Sequence, residues 1–562
     1  MKRNITHILL SILGDMGATD VVPEVEIADT PEHGEYTTNV AMRLTKLLKK
    51  APMAIGQEIV DQLEKNGEVK KAGIEKIEVV QPGFINFFLA HQQSWEVIQN
   101  IIDQGALYGQ VKKNNKIMII DYSAPNIAKR FGIGHLRSTI VGNTLERLYE
   151  FLGWTVIGDN HLGDWGTQFG KMIVAIRKWT NGNIKAMTIE ELETLYIKFH
   201  TEAETHPELE DEARLAFRKL EEGNAEERTM WKELITISMK EFNKIYEILN
   251  VQIDETIGES FYEKIMLDVI KDAKDKKITL QSKGAWIIQY PHDALPPSML
   301  LKSDGGTTYL TRDLATIKFR KEKWNPDRMI YEVGGEQALH FRQVFWAAEM
   351  LGYAKRDSLV HVGHGMIRLP EGKMSTRKGR TIKLEEVLTK AVTKAEKFTT
   401  DKKIAEAIGI GAVKYNDLKR SPTIGYSFDW DEALNLEGNS GPYIQYVFVR
   451  CKSVLEKSKR DTTQMNPDIT DYVFNTDELA VIRELARFKE VINEAAVRYS
   501  PNVLCNYLFL LSQQFNTFYN SYSILQAESE TTISVRIFIT RAVMQIIATG
   551  LKILGIQTPH KM

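Results

Sequence analysis

KIMIIDYSAPNIAKRFGIGH, residues 116–135, opens as an almost unbroken apolar run and closes on two glycines and a histidine. A short run of that kind marks a parallel strand buried on both faces. A loop containing Pro and Gly follows at 124–134, then a helix over about His135–Leu152, then a second strand at Thr155–Gly158. This is a βαβ unit with its loop at the carboxyl end of the first strand, where open α/β sheets bind ligands. Gly132 and Gly134 let a bulky group approach the backbone. The amides and dipole of the helix's first turn favour an anion. Lys129 adds a charge and His135 a donor. Taken alone, the same residues are better read as a glycine-rich turn with a structural histidine.

Strand signals return at Gly284–Tyr290, Thr307–Thr311, Met329–Val333 and Leu359–Gly363. They predict a sheet split by a charged, mostly helical insertion at about 180–280 and resumed after it. Before the βαβ unit, HGEYTTNVA (33–41) reads as a polar turn leading into a basic helix at Met42–Lys50. VVQPGFINFFL (79–89) reads as two short strands around a Pro-Gly turn. From Asp401 the spacing is helical, over 401–416, 477–498, 502–522 and 532–554. The expected architecture is α/β plus all-α in three domains. These are a small α+β unit at 1–112, a Rossmann-type parallel-sheet domain at 113–400 carrying the insertion, and a helical bundle at 401–562.

The chain has 562 residues, 26% of them charged and 43% hydrophobic, which is ordinary globular composition and excludes wholesale disorder or a coiled-coil rod. No run reaches the ~18 consecutive apolar residues of a membrane span. Lys2, Arg3 and the apolar run Ile8–Gly14 read as an amphipathic first helix. Two cysteines, Cys451 and Cys505, build neither a disulfide framework nor a Cys-rich zinc site. A reducing, cytoplasmic setting is the expectation. The net charge of −2 excludes a generally basic protein but leaves room for local basic patches that grip a nucleic acid.

The second chemical motif is GKMSTRKG (372–379). Lys373, Ser375, Thr376, Arg377 and Lys378 suit a triphosphate, whose leaving pyrophosphate gains negative charge in the transition state. In isolation such a loop is also an ordinary solvated surface. The two motifs together are far more specific. They resemble the HIGH-type (132–135) and KMSKS-type (373–377) elements of class I aminoacyl-tRNA synthetases, and more narrowly the arginyl-tRNA synthetase family. The resemblance runs nearly end to end, through HGEYTTNVA, PGFINFFL, SAPNIAK, GHLRSTIVG and DNHLGDWGTQFGK, then TYLTRDLAT, GKMSTRKG, LEGNSGPYIQYVFVR and TGLKILGI. Two departures stand out. Gly132 occupies the place of the first histidine, and Thr376-Arg377 replaces the second lysine, with Lys378 just beyond. Lys129 is the expected substitute for the lost donor.

The resemblance implies an arginine–tRNA ligase using ATP with Mg²⁺, holding no structural metal, and acting on L-arginine and tRNA(Arg) as a monomer away from membranes. It implies a first step that needs tRNA. Lys129, Gly132, Gly134, His135, Lys373, Ser375 and Lys378 would form the catalytic set. His135, Lys373, Glu336, Gln337 and Met366 would hold ATP. Arginine's planar, always-charged guanidinium calls for carboxylates placed for paired contact. By resemblance Asp121 and Asp313 face it, Tyr309 packs beside it, and Asn126 and Gln343 take the amino-acid end. From the residues alone, Asp121 could equally cap the loop and Asp313 a helix. His161 and Gln168 are further candidates near the aminoacyl group. His361 and His364 are expected to support the adenine pocket rather than bind a metal. Tyr443, Tyr446 and Arg450, ahead of a basic stretch, are expected at the tRNA. Arg43, Lys46, Lys49 and Lys50 are expected at its elbow. Phe515, Phe518, Tyr519 and Tyr522 follow core spacing. Two rivals share the motifs: another nucleotidyl transferase with an HxGH-type site, which length disfavours, and a non-catalytic tRNA-binding relative.

Overall fold

Met118, Ile119 and Ile120 of β1 (Ile117–Asp121) are fully buried. Their strand lies at the centre of a five-stranded parallel sheet in the computed structural model, which describes residues 2–28, 33–180, 184–368, 383–461, 465 and 467–562. β1 leads through α1 (Ile133–Phe151) to β2 (Thr155–Asn160), the βαβ unit anticipated from the sequence. The short β3 (Glu255–Thr256) pairs with the far edge of β2. After α2 (Tyr309–Trp324) comes β4 (Arg328–Gly334), which pairs with the other side of β1. α3 (Ala338–Leu351) then returns the chain to β5 (Leu359–His364), outside β4. The spatial order is β5-β4-β1-β2-β3, every pairing parallel. All five carboxyl ends therefore point to one edge, the edge that carries ligand sites in such sheets.

The insertion is helical, with helices Ile189–Thr205, Glu208–Glu221, Ala225–Ile248 and Glu263–Asp275. Two expected sheet strands fall elsewhere. Ala285–Ile288 belongs to a separate antiparallel sheet with Thr279–Ser282 and Ser298–Leu301. Thr307–Thr311 is not a strand, because Thr308 is the N-cap of α2 and its hydroxyl donates to the Met299 carbonyl at 2.6 Å. Threonine serves both strands and helix caps, so its β-branching misleads here.

Two compact units contain these parts. One comprises 109–446 with 491–506 and 550–562, and the other 1–108 with 447–490 and 507–549. The second holds a four-stranded antiparallel sheet, in the order Val25–Ile27, Tyr36–Thr38, Phe84–Leu89, Ile74–Val80. Ile5, Leu9, Leu44, Ile59 and Phe87 fill its core, and Lys2–Asp15 is the amphipathic helix expected. HGEYTTNVA contains a strand rather than a turn. The helix expected at 42–50 is two single turns, Val40–Arg43 and Thr45–Leu48. In the same unit Trp95 packs on Phe538 at 5.1 Å between ring centroids, and the buried Glu478 carboxylate accepts from Arg536 at 2.9 Å. The helices Thr476–Val497, Asn502–Ser521 and Glu530–Ile553 match the spacing read from the sequence. Glu530–Ile553 is long and apolar enough to cross a membrane, yet most of it is buried among its neighbours.

Candidate active site

The loop between β1 and α1 is tightly specified. Ser123, Ala124 and Ala128 have φ of 74°, 44° and 61°, left-handed values that non-glycine residues hold only under constraint from their surroundings. That constraint is a set of hydrogen bonds. The Ser123 amide donates to Ser138 Oγ at 2.9 Å, the Ala124 amide to Asn160 Oδ1 at 3.1 Å, and the Ala128 amide to Ser238 Oγ at 2.9 Å. Asn126 bridges to Gly163 in DNHLGDWGTQFG and stays exposed. A Cβ at Gly163 would stand 2.4 Å from Asn126 Oδ1, so any larger residue there displaces the Asn126 side chain. Gln168 donates to the Gly163 carbonyl at 3.4 Å.

Gly132 caps α1 with φ −86° and donates its amide to His135 Nδ1 at 3.2 Å. Burial lowers the His135 pKa to about 4, and the charges of Lys129 and His364 push the same way. A neutral ring accepting at Nδ1 carries its proton on Nε2, so His135 presents an N–H donor. Gly134 is exposed, and a Cβ there would meet nothing within 4 Å, which leaves open space before the first turn. The Lys129 ammonium rests 5.0 Å over the Tyr196 ring on the insertion.

The segment that follows the far motif comes to this same place. Lys373, Ser375 and Lys378 lie outside the described residues, but the chain on both sides of them is fixed. Gly132 forms an antiparallel bridge with Lys383, and the Leu384 amide donates to the Phe131 carbonyl at 3.0 Å. On the other side, the fully buried Arg137 of α1 donates to the carbonyls of Gly365 (3.0 Å) and Ile424 (2.6 Å) and pairs with Asp417 at 3.2 Å. Ile367–Arg368 then pairs with Tyr426–Ser427. Lys244 and Glu385 form a further ion pair between the insertion and this segment.

Acidic groups line the sheet's carboxyl edge. Asp121 and Asp159 face one another in register on β1 and β2, and two adjacent carboxylates require a cation. Arg320 supplies it from α2, reaching Asp121 Oδ2 at 2.6 Å and Asp159 Oδ2 at 2.7 Å, wholly buried. Burial raises the Asp121 pKa, Arg320 opposes the shift, and the Asp313 charge adds to it. The two aspartates thus share a locality, but not in the form anticipated. Asp121 is 6% exposed and already held by an internal guanidinium. Asp313 is the more accessible acid, its Oδ2 2.5 Å from His340 Nε2. Arg320 lies seven residues, two turns, beyond Asp313, so both project from one face of α2. Tyr309, at the start of that helix, is 72% exposed. His161 Nδ1 is buried without a hydrogen-bond partner among the described residues. Gln343, one turn past His340, donates to the Pro296 carbonyl at 2.8 Å.

Glu336 and Gln337 stand exposed in the turn after β4, and Met366 is 69% exposed just past β5. His361 stacks on Phe341 at 4.9 Å and bonds the Val333 carbonyl at 3.2 Å, a packing role. His364, three residues on and therefore on the opposite face of the strand, pairs with the buried Glu332. A cavity of about 590 Å³ lined by Leu249, Leu388, Lys414 and Ile556 contains none of these site residues.

Comparison with known proteins identifies the family. The family described as tRNA synthetases class I (R), catalytic domain, matches residues 97–430. The Arginyl tRNA synthetase N terminal domain matches 1–89, and the DALR anticodon binding domain matches 444–562. The arginine–tRNA ligase of Halothermothrix orenii is 39% identical over 100% of this chain and 99% of its own length. The chain belongs to the arginyl-tRNA synthetase family. The Fusobacterium nucleatum arginine–tRNA ligase is 40% identical over 96% of this chain and 95% of its own. The arginyl-tRNA synthetase structure of Thermus thermophilus shares the fold, with a TM-score of 0.83, 23% identity and full coverage of both chains.

Within this synthetase the tRNA candidates divide. Tyr443 is 8% exposed and packed, while Tyr446 is half-buried. Arg450 donates to Asn516 Oδ1 at 2.6 Å and lies 4.7 Å over the ring of Tyr519. Phe515 and Phe518 are core as expected, but Tyr519 is 36% exposed. Helical spacing placed Tyr519 with the core; the basic residue stacked on it was the missing signal. Arg320 and Arg137 also escaped the sequence reading, because their partners lie on other elements.

Proposed function

We propose that this synthetase activates L-arginine with ATP at the sheet's carboxyl edge and passes it to the terminal adenosine of tRNA(Arg). The chain is an arginine–tRNA ligase. The observation that supports the residue-level reading is the junction of Gly132 and Phe131 with Lys383 and Leu384, which seats the chain just after the second motif against the first.

In the first step the arginine carboxylate attacks the α-phosphorus of ATP. An O–P bond forms, the bond to the β-phosphate oxygen breaks, and pyrophosphate leaves with its electron pair. No protein nucleophile is needed, so catalysis is positioning and charge stabilisation. His135 donates from Nε2 on one side, and Lys373, Ser375 and Lys378 close on the other. Asp313 takes the substrate guanidinium, with Tyr309 beside it. Asp121, oriented by Arg320, offers its second oxygen. Asn126 and Gln343 serve the amino-acid end, and Glu336, Gln337 and Met366 the nucleoside. In the second step the terminal 2′-hydroxyl attacks the adenylate carbonyl and AMP leaves. Arg450 and Tyr519 grip an unpaired base by charge and stacking. Mg²⁺ would arrive with the triphosphate. Among the described residues no group of three or more His, Cys, Asp or Glu converges to hold an ion. The protein works as a cytoplasmic monomer.

The test is ATP-dependent charging of tRNA(Arg) with labelled arginine, against lysine and citrulline. Charging with arginine alone is expected. No charging, or equal use of citrulline, which lacks the cation, contradicts the reading. Pyrophosphate exchange is expected only when tRNA is present. Robust exchange without it would sink that part.

A further inference from the structure

Gly132 leaves this cleft one imidazole short of the two that the signature motif carries, and Lys129, the expected substitute, lies 5.0 Å over the Tyr196 ring of the insertion. A second imidazole is nevertheless present, from another element. His364 ends β5, in register with Gly334 of β4, at the ligand-binding edge of the sheet. Its Nδ1 lies 3.0 and 3.2 Å from the two carboxylate oxygens of Glu332, which is 1% exposed. The Glu332 carbonyl accepts from Ser138 Oγ at 2.8 Å, and the carbonyl of Gly365 accepts from Arg137 at 3.0 Å. Both donors lie in the first turns of α1, immediately after His135. The helix that begins at the motif therefore fixes the partner of His364 and the residue after it.

We propose that His364 supplies the phosphate donor that Gly132 cannot, so that the histidine pair at the ATP triphosphate is His135 with His364. The two rings are held alike. Each has its Nδ1 pinned, one by the Gly132 amide and one by the Glu332 carboxylate. Each leaves Nε2 without a protein partner among the described residues. Their charge states differ in a useful way. His135 is neutral. For His364, burial alone would lower the pKa, but Glu332 overrides it and the net shift is upward. Glu336 raises it further, and Arg137 opposes. His361 and His135 are the other titratable groups that sense His364. One ring thus offers a neutral donor and the other is favoured as a cation by a buried acid, a pairing suited to a polyanion. The His364 cation is lost as pH rises through its raised pKa, so its contribution fades on the alkaline side.

This inference rests on the ligase reading. Wild-type charging of tRNA(Arg) tests that reading alone, and the following variants test His364 alone. Arginine-dependent pyrophosphate exchange in the presence of tRNA(Arg) is measured for His364→Gln, and for His364→Gln combined with Gly132→His. Gly132 has φ −86°, which histidine adopts freely. The single variant should lose about 100-fold in kcat/KM for ATP, the cost of one transition-state donor, while KM for arginine stays put and the alkaline limb disappears. Restoring an imidazole at 132 should recover most of the loss. Full activity in the single variant, or a loss that the second substitution leaves in place, overturns the proposal and makes His364 a packing residue. If the variants fail to fold, isotope-labelled histidines in the wild-type protein decide. The His364 ring resonance should shift on adding a non-hydrolysable ATP analogue, and an unmoved resonance overturns it.

Discussion

At the scale of single residues, the acids of the cleft do different work although they share a charge. Asp313 keeps an accessible carboxylate. Asp313→Asn should raise KM for arginine about 10- to 150-fold, the worth of a hydrogen bond to a charged group, with KM for ATP unchanged. Steady-state kinetics in both substrates checks this. Asp121 and Asp159 share the buried Arg320, so Arg320→Met should cost about 3–5 kcal/mol in denaturant unfolding by stranding two carboxylates. Glu146 shows a third behaviour. It accepts from the Tyr122 hydroxyl at 2.6 Å, and burial, joined by Asp254 and Glu150, raises its pKa to about 7 against its Tyr122 and Asn143 hydrogen bonds. A folded pKa above the unfolded one gives stability that is full below the unfolded value and is lost as pH rises through about 7. Glu146→Gln keeps the Tyr122 bond and removes the titration. Relative to the variant, the wild type should lose about 3 kcal/mol on going from acid to mildly alkaline pH. Parallel stability profiles would refute this.

At the scale of elements, α1 is the organiser. Its first turns carry His135, Arg137 and Ser138, which respectively accept from the Gly132 amide, clamp the segments at 365 and 424, and hold β4. Arg137→Met leaves Asp417 buried and unpaired. It should cost about 3–5 kcal/mol of stability and should depress pyrophosphate exchange beyond that loss at temperatures where the variant is fully folded. The strand and helix of 116–151 were legible because their pattern is uniform: one apolar run, one glycine break, one helical period. The element beginning at Thr308 was misread because two threonines before a hydrophobic run fit a strand and a helix cap alike. The helix expected at 42–50 broke because Lys49, with φ 49°, turns the chain left-handed directly after Leu48. No local pattern announces either outcome.

At the scale of the whole molecule, the chain on either side of the second motif returns to the first because β5 lies two strands from β1 and every strand runs the same way. The pairing of Asp121 with Arg320, and of His364 with Glu332, depends on which strands become neighbours and was not legible before the fold was known. The helical part of the other unit behaves similarly. Tyr519 shares its spacing with core phenylalanines but emerges at the surface under Arg450. Tyr519→Ala should raise KM for tRNA(Arg) by the worth of one stacked base, about 1–3 kcal/mol, while KM for arginine holds, as read by aminoacylation kinetics.

A crystal structure with arginine and a non-hydrolysable ATP analogue bound measures the central claim directly. The guanidinium should lie within hydrogen-bond distance of Asp313, and the triphosphate between His135 and the 373–378 segment. Arginine bound away from Asp313, or a nucleotide that touches only one of the two motifs, would contradict the single-cleft account.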